Sequence, residues 1–225
     1  AAKKCQLKTY GYEDKFEEIN IRAAEIARSA AGEKTFVLGT IGAIRGLREC
    51  ELTLESIVNE TLDQVKVLLS TEKIDGLLFE TYYDQEEIRT ILSEVRKLTD
   101  LPIITNISLL EAGITQNGEK VTDALSALVN LGADIVGLNC HLGPYHMIKS
   151  FKQVPLFAQS YLSAYPNASL MQLTQTINGN EYRFRKNSSY FEQSAKLLVE
   201  EGVRLIGGCC GTTPEHIRAI KKGIK

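Results

Sequence analysis

Residues 134–140, which read Asp-Ile-Val-Gly-Leu-Asn-Cys, show the pattern that decides the fold. A short, nearly continuous apolar run ends in an amide and a thiol, and an irregular stretch follows it. Similar runs occupy residues 36–40, 76–80, 102–106, 155–159 and 203–207. Because parallel strands covered on both faces have this character, we predict a strand at each run.

Amphipathic stretches separate the predicted strands, with helical spacing around residues 57–69, 88–98 and 188–201 and an opening helix near 14–31. The alternation favours an α/β fold of βα units, and we predict a (β/α)8 TIM barrel as one domain over residues 1–225. An open doubly wound sheet is the structural alternative. Six units are recognisable where a barrel has eight. The domain is therefore predicted to be N-terminally incomplete, lacking or not showing its first one or two strands.

The composition is that of an ordinary globular protein. The 225 residues are 44% hydrophobic and 24% charged, and the net charge is −2. This charge favours neither nucleic acid nor a membrane as a partner. The sequence shows neither a signal peptide nor an apolar run long enough to span a bilayer, so we predict a cytoplasmic protein.

Three of the five cysteines follow predicted strand ends. Cys140 follows Asn139, and Cys209 and Cys210 follow two glycines after the last predicted strand. In a barrel all three lie at the same rim, where active sites are built. Three thiolates directed at one point suit Zn²⁺ and leave its fourth ligand position open, as in catalytic zinc sites. Buried apolar cysteines are the simpler alternative, and a strained disulfide within the adjacent pair is a third.

The remaining cysteines and the histidines have less specific settings. Cys5 and Cys50 are predicted to be structural. His141 and His146 are minor candidates for metal ligands. His216 lies in the predicted final helix, where we expect a surface position.

A glycine-rich loop leads into that final helix. Thr213 before Pro214 fits an N-cap with proline at the first helical position, whereas Thr212 with Glu215 fits a capping box. Backbone N–H groups at such a helix start can bind a carboxylate or a phosphate. A plain capped turn is the alternative.

Residues 137–144 and 207–214 resemble signature segments of the homocysteine S-methyltransferase family, and the resemblance extends from about Lys8 to the C-terminus. It implies a (β/α)8 barrel with one zinc ion on Cys140, Cys209 and Cys210. Residues 79–84 resemble the motif whose glutamate binds the homocysteine amino group, which gives that role to Glu80. The other residues predicted to bind substrate are Asn139 and Gly143.

The segment Gly-Thr-Thr-Pro-Glu-His at residues 211–216 is most similar to the folate- and cobalamin-linked branch of this family. The resemblance implies methylation of homocysteine to methionine. The methyl donor is expected to be methyltetrahydrofolate, methylcobalamin or S-methylmethionine, presented by another domain such as a methylenetetrahydrofolate reductase. The Asp-Gly-rich motif of the family's first strand is absent from this sequence.

Two other functions remain open from the residues alone. A phosphate-binding barrel lyase or isomerase would use the glycine-rich loop before the final helix. None of the six predicted strand ends carries a lysine, which disfavours a Schiff-base mechanism. A non-catalytic zinc or thiol module of a larger enzyme is the other alternative.

Overall fold

The computed structural model describes residues 2–46, 51–169, 172–176, 179–183 and 187–225, with side chains described outside 170–186. The chain forms two compact units. The first consists of Ala1–Thr105 with Asn130–Asp134, and the second of Asn106–Val129 with Ile135–Lys225.

The first unit opens with helices and then alternates strands and helices. Its elements are α1 (Lys4–Lys8), a 3₁₀ turn (Glu13–Lys15), α2 (Phe16–Ala31), β1 (Leu38–Gly42), α3 (Leu54–Ser70), β2 (Gly76–Tyr82), α4 (Gln85–Arg96) and the start of β3 (Ile103–Ile107). Strands β1 and β2 pair in parallel, from Leu38 opposite Gly76 to Gly42 opposite Glu80. The Thr53 and Asp84 side chains accept N–H groups at the starts of α3 and α4, so local sequence fixes where both helices begin.

The second unit continues the alternation. It holds the end of β3, α5 (Val121–Asn130) up to Val129, β4 (Ile135–Asn139), α6 (Pro144–Phe151), β5 (Tyr161–Tyr165), β6 (Gln172–Thr176), β7 (Gly179–Arg183), α7 (Ser188–Glu200), β8 (Val203–Ile206) and α8 (Pro214–Gly223). Its strand order is β3-β4-β5-β8, and the pairs β4–β5 and β5–β8 are parallel. Strands β6 and β7 form a separate antiparallel hairpin.

Five of the six predicted strands are present, each displaced by two residues or fewer. The predicted strand at 155–159 is wrong, because the strand lies at Tyr161–Tyr165. Pro155 has no N–H to donate to a ladder, and Leu156 is 71% exposed. Leu162 and Ala164 are buried, and the backbone around them pairs with β4. The stretch that follows Gln159 contains β5, β6 and β7.

The helices agree with the predicted alternation. The predicted opening helix is present as α2, preceded by a short 3₁₀ turn, and the stretch 188–201 is present as α7. Parallel strands alternating with helices confirm the predicted α/β class. Within the described part of the chain, no helix has both the length and the apolar composition required to cross a membrane.

An acid-sensitive interaction links the residues before β1 to those before β2. The Asp75 carboxylate accepts hydrogen bonds from the Val37 N–H at 2.6 Å and from the Arg28 guanidinium at 2.5 Å. These hydrogen bonds hold the pKa of Asp75 below its usual range. The bond from the Val37 N–H has the larger effect, and the bond from Arg28 the next largest. A depressed carboxyl pKa contributes stability above the unfolded-state pKa, and that stability is lost as the pH falls through the folded-state value.

We therefore expect Asp75→Asn to lower the melting temperature at neutral pH. The difference from the wild-type protein should begin to shrink as the pH falls below the unfolded-state pKa of about 4, because the unfolded chain then binds a proton, and should be lost once the pH also falls below the lowered pKa of the folded carboxyl. Melting curves of both proteins across this pH range test the expectation. A difference that stayed constant with pH would mean that the carboxylate charge contributes nothing.

Candidate metal centre

Cys140 lies directly after β4, at a sharp bend of the backbone. Cys140 and His141 have φ values of 60° and 54°, in the left-handed region that residues other than glycine seldom adopt. The Cys140 N–H donates to the Tyr165 carbonyl at 3.1 Å, so the bend is tied to the end of β5. Strained backbone of this kind is frequent at functional sites.

The adjacent cysteines lie in the turn after β8, which is hydrogen-bonded to the segment after β5. The Cys209 N–H donates to the Pro166 carbonyl, and the Ala168 N–H to the Cys210 carbonyl, both at 2.9 Å. The Cys210 N–H donates to Asn167 Oδ1 at 3.0 Å. The backbone of both cysteines is thus tied by hydrogen bonds to the segment after β5.

Gly208 permits the tight turn that follows. A Cβ atom at this position would lie 2.6–2.8 Å from the Thr212 side chain. Thr212 occupies that space because its N–H and its hydroxyl both donate to the Cys209 carbonyl, at 3.1 and 2.7 Å. A side chain larger than glycine at position 208 would therefore clash with this turn.

The three thiols meet at one point. The Sγ atom of Cys210 is 3.6 Å from that of Cys140 and 4.0 Å from that of Cys209, and all three Sγ atoms lie within 4.8 Å of one another. Zinc–sulfur bonds of about 2.3 Å in a tetrahedron place two ligand sulfurs about 3.8 Å apart. The spacing therefore fits a zinc ion on three cysteines. All three are free thiols, as is Cys5.

The proximity of the thiols changes their acidity. A hydrogen bond from Cys209 lowers the pKa of Cys140 to about 5, and burial opposes this effect. The same hydrogen bond, followed by burial, raises the pKa of Cys209 above its ordinary range, and burial raises that of Cys210. The cluster as a unit therefore loses its first proton more readily than an isolated thiol does. A divalent ion would displace the remaining protons.

Two asparagines lie beside the thiols. The fully buried Asn139, one of the predicted substrate-binding residues, places its Nδ2 atom 4.0 Å from Cys209 Sγ. Asn167, which the sequence does not predict as a site residue, is 3% exposed and also hydrogen-bonds Cys140. The sequence gives little indication that Asn167 belongs to a site, because the strand it follows is predicted six residues too early.

The histidines do not join the cluster. Within the described ranges, the donor atoms close enough to share an ion are the three cysteine sulfurs alone. His146 lies on α6, edge-on to Tyr145. His216 is 2% exposed, so its predicted surface position is wrong. It packs against Phe191, on the buried face of α8 that also carries Ala219 and Ile220.

The other predicted site residues belong to separate settings. Gly143 precedes α6 as its N-cap, with Pro144 at the first helical position. Glu80 lies in β2 of the first unit, where it lines a cavity of about 570 Å³. The next residue, Thr81, has φ = 64°, which is strained for a β-branched side chain. Cys5 is half-buried in α1, and Cys50 lies outside the described residues.

Comparisons with known proteins give a consistent result. The homocysteine S-methyltransferase family model matches residues 1–224. The methionine synthase of Mycobacterium leprae is 30% identical over 229 residues, covering 97% of this chain and 19% of that protein. The methionine synthase of Mycobacterium tuberculosis is 28% identical with the same coverage. The chain thus spans about a fifth of the length of these curated relatives.

Solved structures show the same fold. The metallated form of the homocysteine methyltransferase MmuM from Escherichia coli matches with a TM-score of 0.77 and 20% identity, covering 100% of this chain and 76% of that one. A methyltransferase from Methanosarcina mazei matches with a TM-score of 0.59 and 12% identity, covering 92% of this chain and 63% of that one. These matches confirm the barrel-like α/β fold predicted from the sequence.

Proposed function

Since the chain belongs to the homocysteine S-methyltransferase family, we propose that it holds one zinc ion on Cys140, Cys209 and Cys210 and transfers a methyl group to the thiol of homocysteine, giving methionine. The observation that carries this proposal is the spacing of the three sulfurs, which matches the edge of a zinc–thiolate tetrahedron. The exposure of Cys210 leaves the cluster accessible to a substrate.

The three cysteines would hold the ion and leave one ligand position for the homocysteine sulfur. Zinc bound there would keep the substrate thiol deprotonated at neutral pH. The homocysteine thiolate would attack the methyl carbon, and the new sulfur–carbon bond would form as the bond between the methyl group and the donor breaks. The donor keeps the electron pair of the broken bond. The Asn139 amide, directed at Cys209, would partly offset the negative charge of the sulfurs.

Three residues would bind the amino-acid part of homocysteine. Glu80 would pair with the substrate ammonium group, as the family resemblance implies. Gly143 lies at the start of α6, where backbone N–H groups favour a carboxylate. The inward Asn139 would contact the substrate near the metal.

The methyl donor is proposed to come from outside this chain. Methyltetrahydrofolate, methylcobalamin and S-methylmethionine are the candidates, presented by a further domain or protein such as a methylenetetrahydrofolate reductase. The length of the methionine synthase relatives supports such an arrangement. The cytoplasmic location stays a prediction.

The hydrogen bonding around α8 disfavours the phosphate-binding alternative. The Thr213 N–H donates to His216 Nδ1 at 3.1 Å, and the His216 N–H donates to the Thr213 carbonyl at 3.0 Å and also to its side chain. The chain itself therefore uses donors that a phosphate would need at this helix start.

We expect the purified protein to contain one zinc ion per chain and to bind homocysteine only when zinc is present. The zinc X-ray absorption spectrum should shift towards four sulfur ligands when homocysteine is added, because its thiol takes the fourth position. Elemental analysis, titration calorimetry and the spectrum test these points. Equal homocysteine binding by the zinc-free protein would contradict direct activation by the metal and support a non-catalytic module.

A further inference from the structure

His216 occupies an unusual place for a polar side chain. It lies at the third position of α8 and is 2% exposed. Its ring stands at 81° to that of Phe191, with centroids 4.8 Å apart. Phe191 belongs to a buried apolar cluster with Ala195, Ala219 and Ile220. The imidazole is therefore wedged between α7 and α8 and has little freedom to rotate.

One ring nitrogen has a definite hydrogen-bonding task. The Thr213 backbone N–H donates to His216 Nδ1 at 3.1 Å. In return, the backbone N–H of His216 donates to the Thr213 side chain. Because a backbone N–H can only donate, Nδ1 accepts and the ring proton lies on Nε2. The pair forms a reciprocal capping box with histidine where glutamate or glutamine is usual.

The other ring nitrogen shows that this arrangement has a cost. His216 Nε2 is buried and has no hydrogen-bond partner among the described residues. An unpartnered buried N–H is unfavourable, whereas a leucine would fill the same space without it. The acceptor at Nδ1 is therefore the feature that distinguishes histidine here from an apolar side chain.

The cap leads directly to the metal centre. Thr213 is held by His216, and its neighbour Thr212 donates two hydrogen bonds to the Cys209 carbonyl. The Cys209–Thr213 turn is thus fixed at one end by α8 and at the other by the Pro166 carbonyl. Loss of the cap would release the α8 end of this turn.

We propose that His216 is a positioning residue for the metal, because its Nδ1 atom fixes the turn that directs the Cys209 and Cys210 thiols at one point. This role rests on the proposed zinc site. His216 does not touch the ion or the substrate. It acts by limiting the conformations of the turn before zinc binds, so that less ordering is needed on binding.

A pair of substitutions separates capping from packing. His216→Leu keeps the apolar packing and removes the acceptor, whereas His216→Gln restores an acceptor suited to a capping box. We expect the zinc dissociation constant, measured by chelator competition, to rise about tenfold in His216→Leu and to stay within about threefold of wild type in His216→Gln. The cobalt(II) absorption bands should broaden in the leucine variant alone, since they report ligand geometry.

Ile220→Val is the matched control. Ile220 belongs to the same buried cluster, and the change removes one methyl group there without removing the Nδ1 acceptor or the Phe191 ring, so it should lower the melting temperature of the metal-free protein without changing zinc affinity. Unchanged zinc affinity in His216→Leu, or an equal loss in Ile220→Val, would overturn the role of His216 and leave the zinc site standing. A wild-type protein that bound no zinc would overturn the proposed function as well.

Discussion

Replacement of Cys209 by alanine is expected to abolish stoichiometric zinc binding and methyl transfer together. The Cys209 sulfur is one vertex of a cluster whose neighbouring sulfurs are already at ligand spacing. Two thiolates are too few protein ligands to hold the ion tightly, and the described histidines are not placed to substitute for the third. Because loss of an outer-shell partner alone weakens metal binding by about 10- to 100-fold, loss of a ligand should exceed about 100-fold.

Cys5→Ala is the control for this experiment. Cys5 is also a free, half-buried thiol, but it lies in α1 and outside the cluster. The Cys5→Ala variant should retain one zinc ion per chain and the wild-type rate of methyl transfer. Zinc content measured after chelator challenge, together with a single-turnover assay, compares the two variants. Full zinc retention in Cys209→Ala would rule out the assignment of this ligand.

Substitution of Gly137 by alanine is expected to destabilise the protein severely, although alanine adds one methyl group. Gly137 lies in β4 opposite Ser163 of β5. A Cβ atom would lie 1.9 Å from the Ser163 carbonyl oxygen and 2.3 Å from its Oγ atom. The Ser163 hydroxyl is held by its donation to Asn106 Oδ1 at 2.5 Å, so the strands must separate. We expect the free energy of unfolding to fall by about 3 kcal/mol, the upper end for overpacking.

Gly46→Ala provides the comparison, since nothing lies within 4 Å of the position where its Cβ would be. The free energy of unfolding of this variant should stay within about 0.5 kcal/mol of wild type. Denaturant unfolding curves of both variants test the difference. An equally small effect in Gly137→Ala would show that β4 and β5 are not packed as closely as described. Because Asn139 ends the strand that contains Gly137 and Cys140 directly follows it, zinc affinity should fall with stability.

The candidate ligands were predictable because each follows a recognisable strand or a glycine pair. Cys140 ends an apolar run, and Cys209 and Cys210 follow the last one. Parallel strands carry their ends to one edge, so local pattern and a general rule of topology sufficed. Asn167 was missed because it follows β5, whose position depends on pairing with β4 rather than on its own apolar content.

The start of α8 also combines a feature that local sequence predicts with one that depends on tertiary packing. Thr213 and Pro214 marked the N-cap correctly from sequence, because both act through their own backbone geometry. The capping box suggested by the sequence paired Thr212 with Glu215. The capping box in the structure instead pairs Thr213 with His216. His216 takes the role because packing against Phe191 on another helix holds its ring in place.

The sequence by itself determined the alternation of strands and helices and the three cysteines that follow strand ends, because hydrophobic periodicity and the residues at strand ends are local properties of the chain. Only the tertiary structure decided that the three sulfurs lie within 4.8 Å of one another, that Asn167 hydrogen-bonds the turn, and that His216 is buried. These features depend on contacts between residues distant in sequence, and the free energy of such contacts comes from packing that no local pattern encodes.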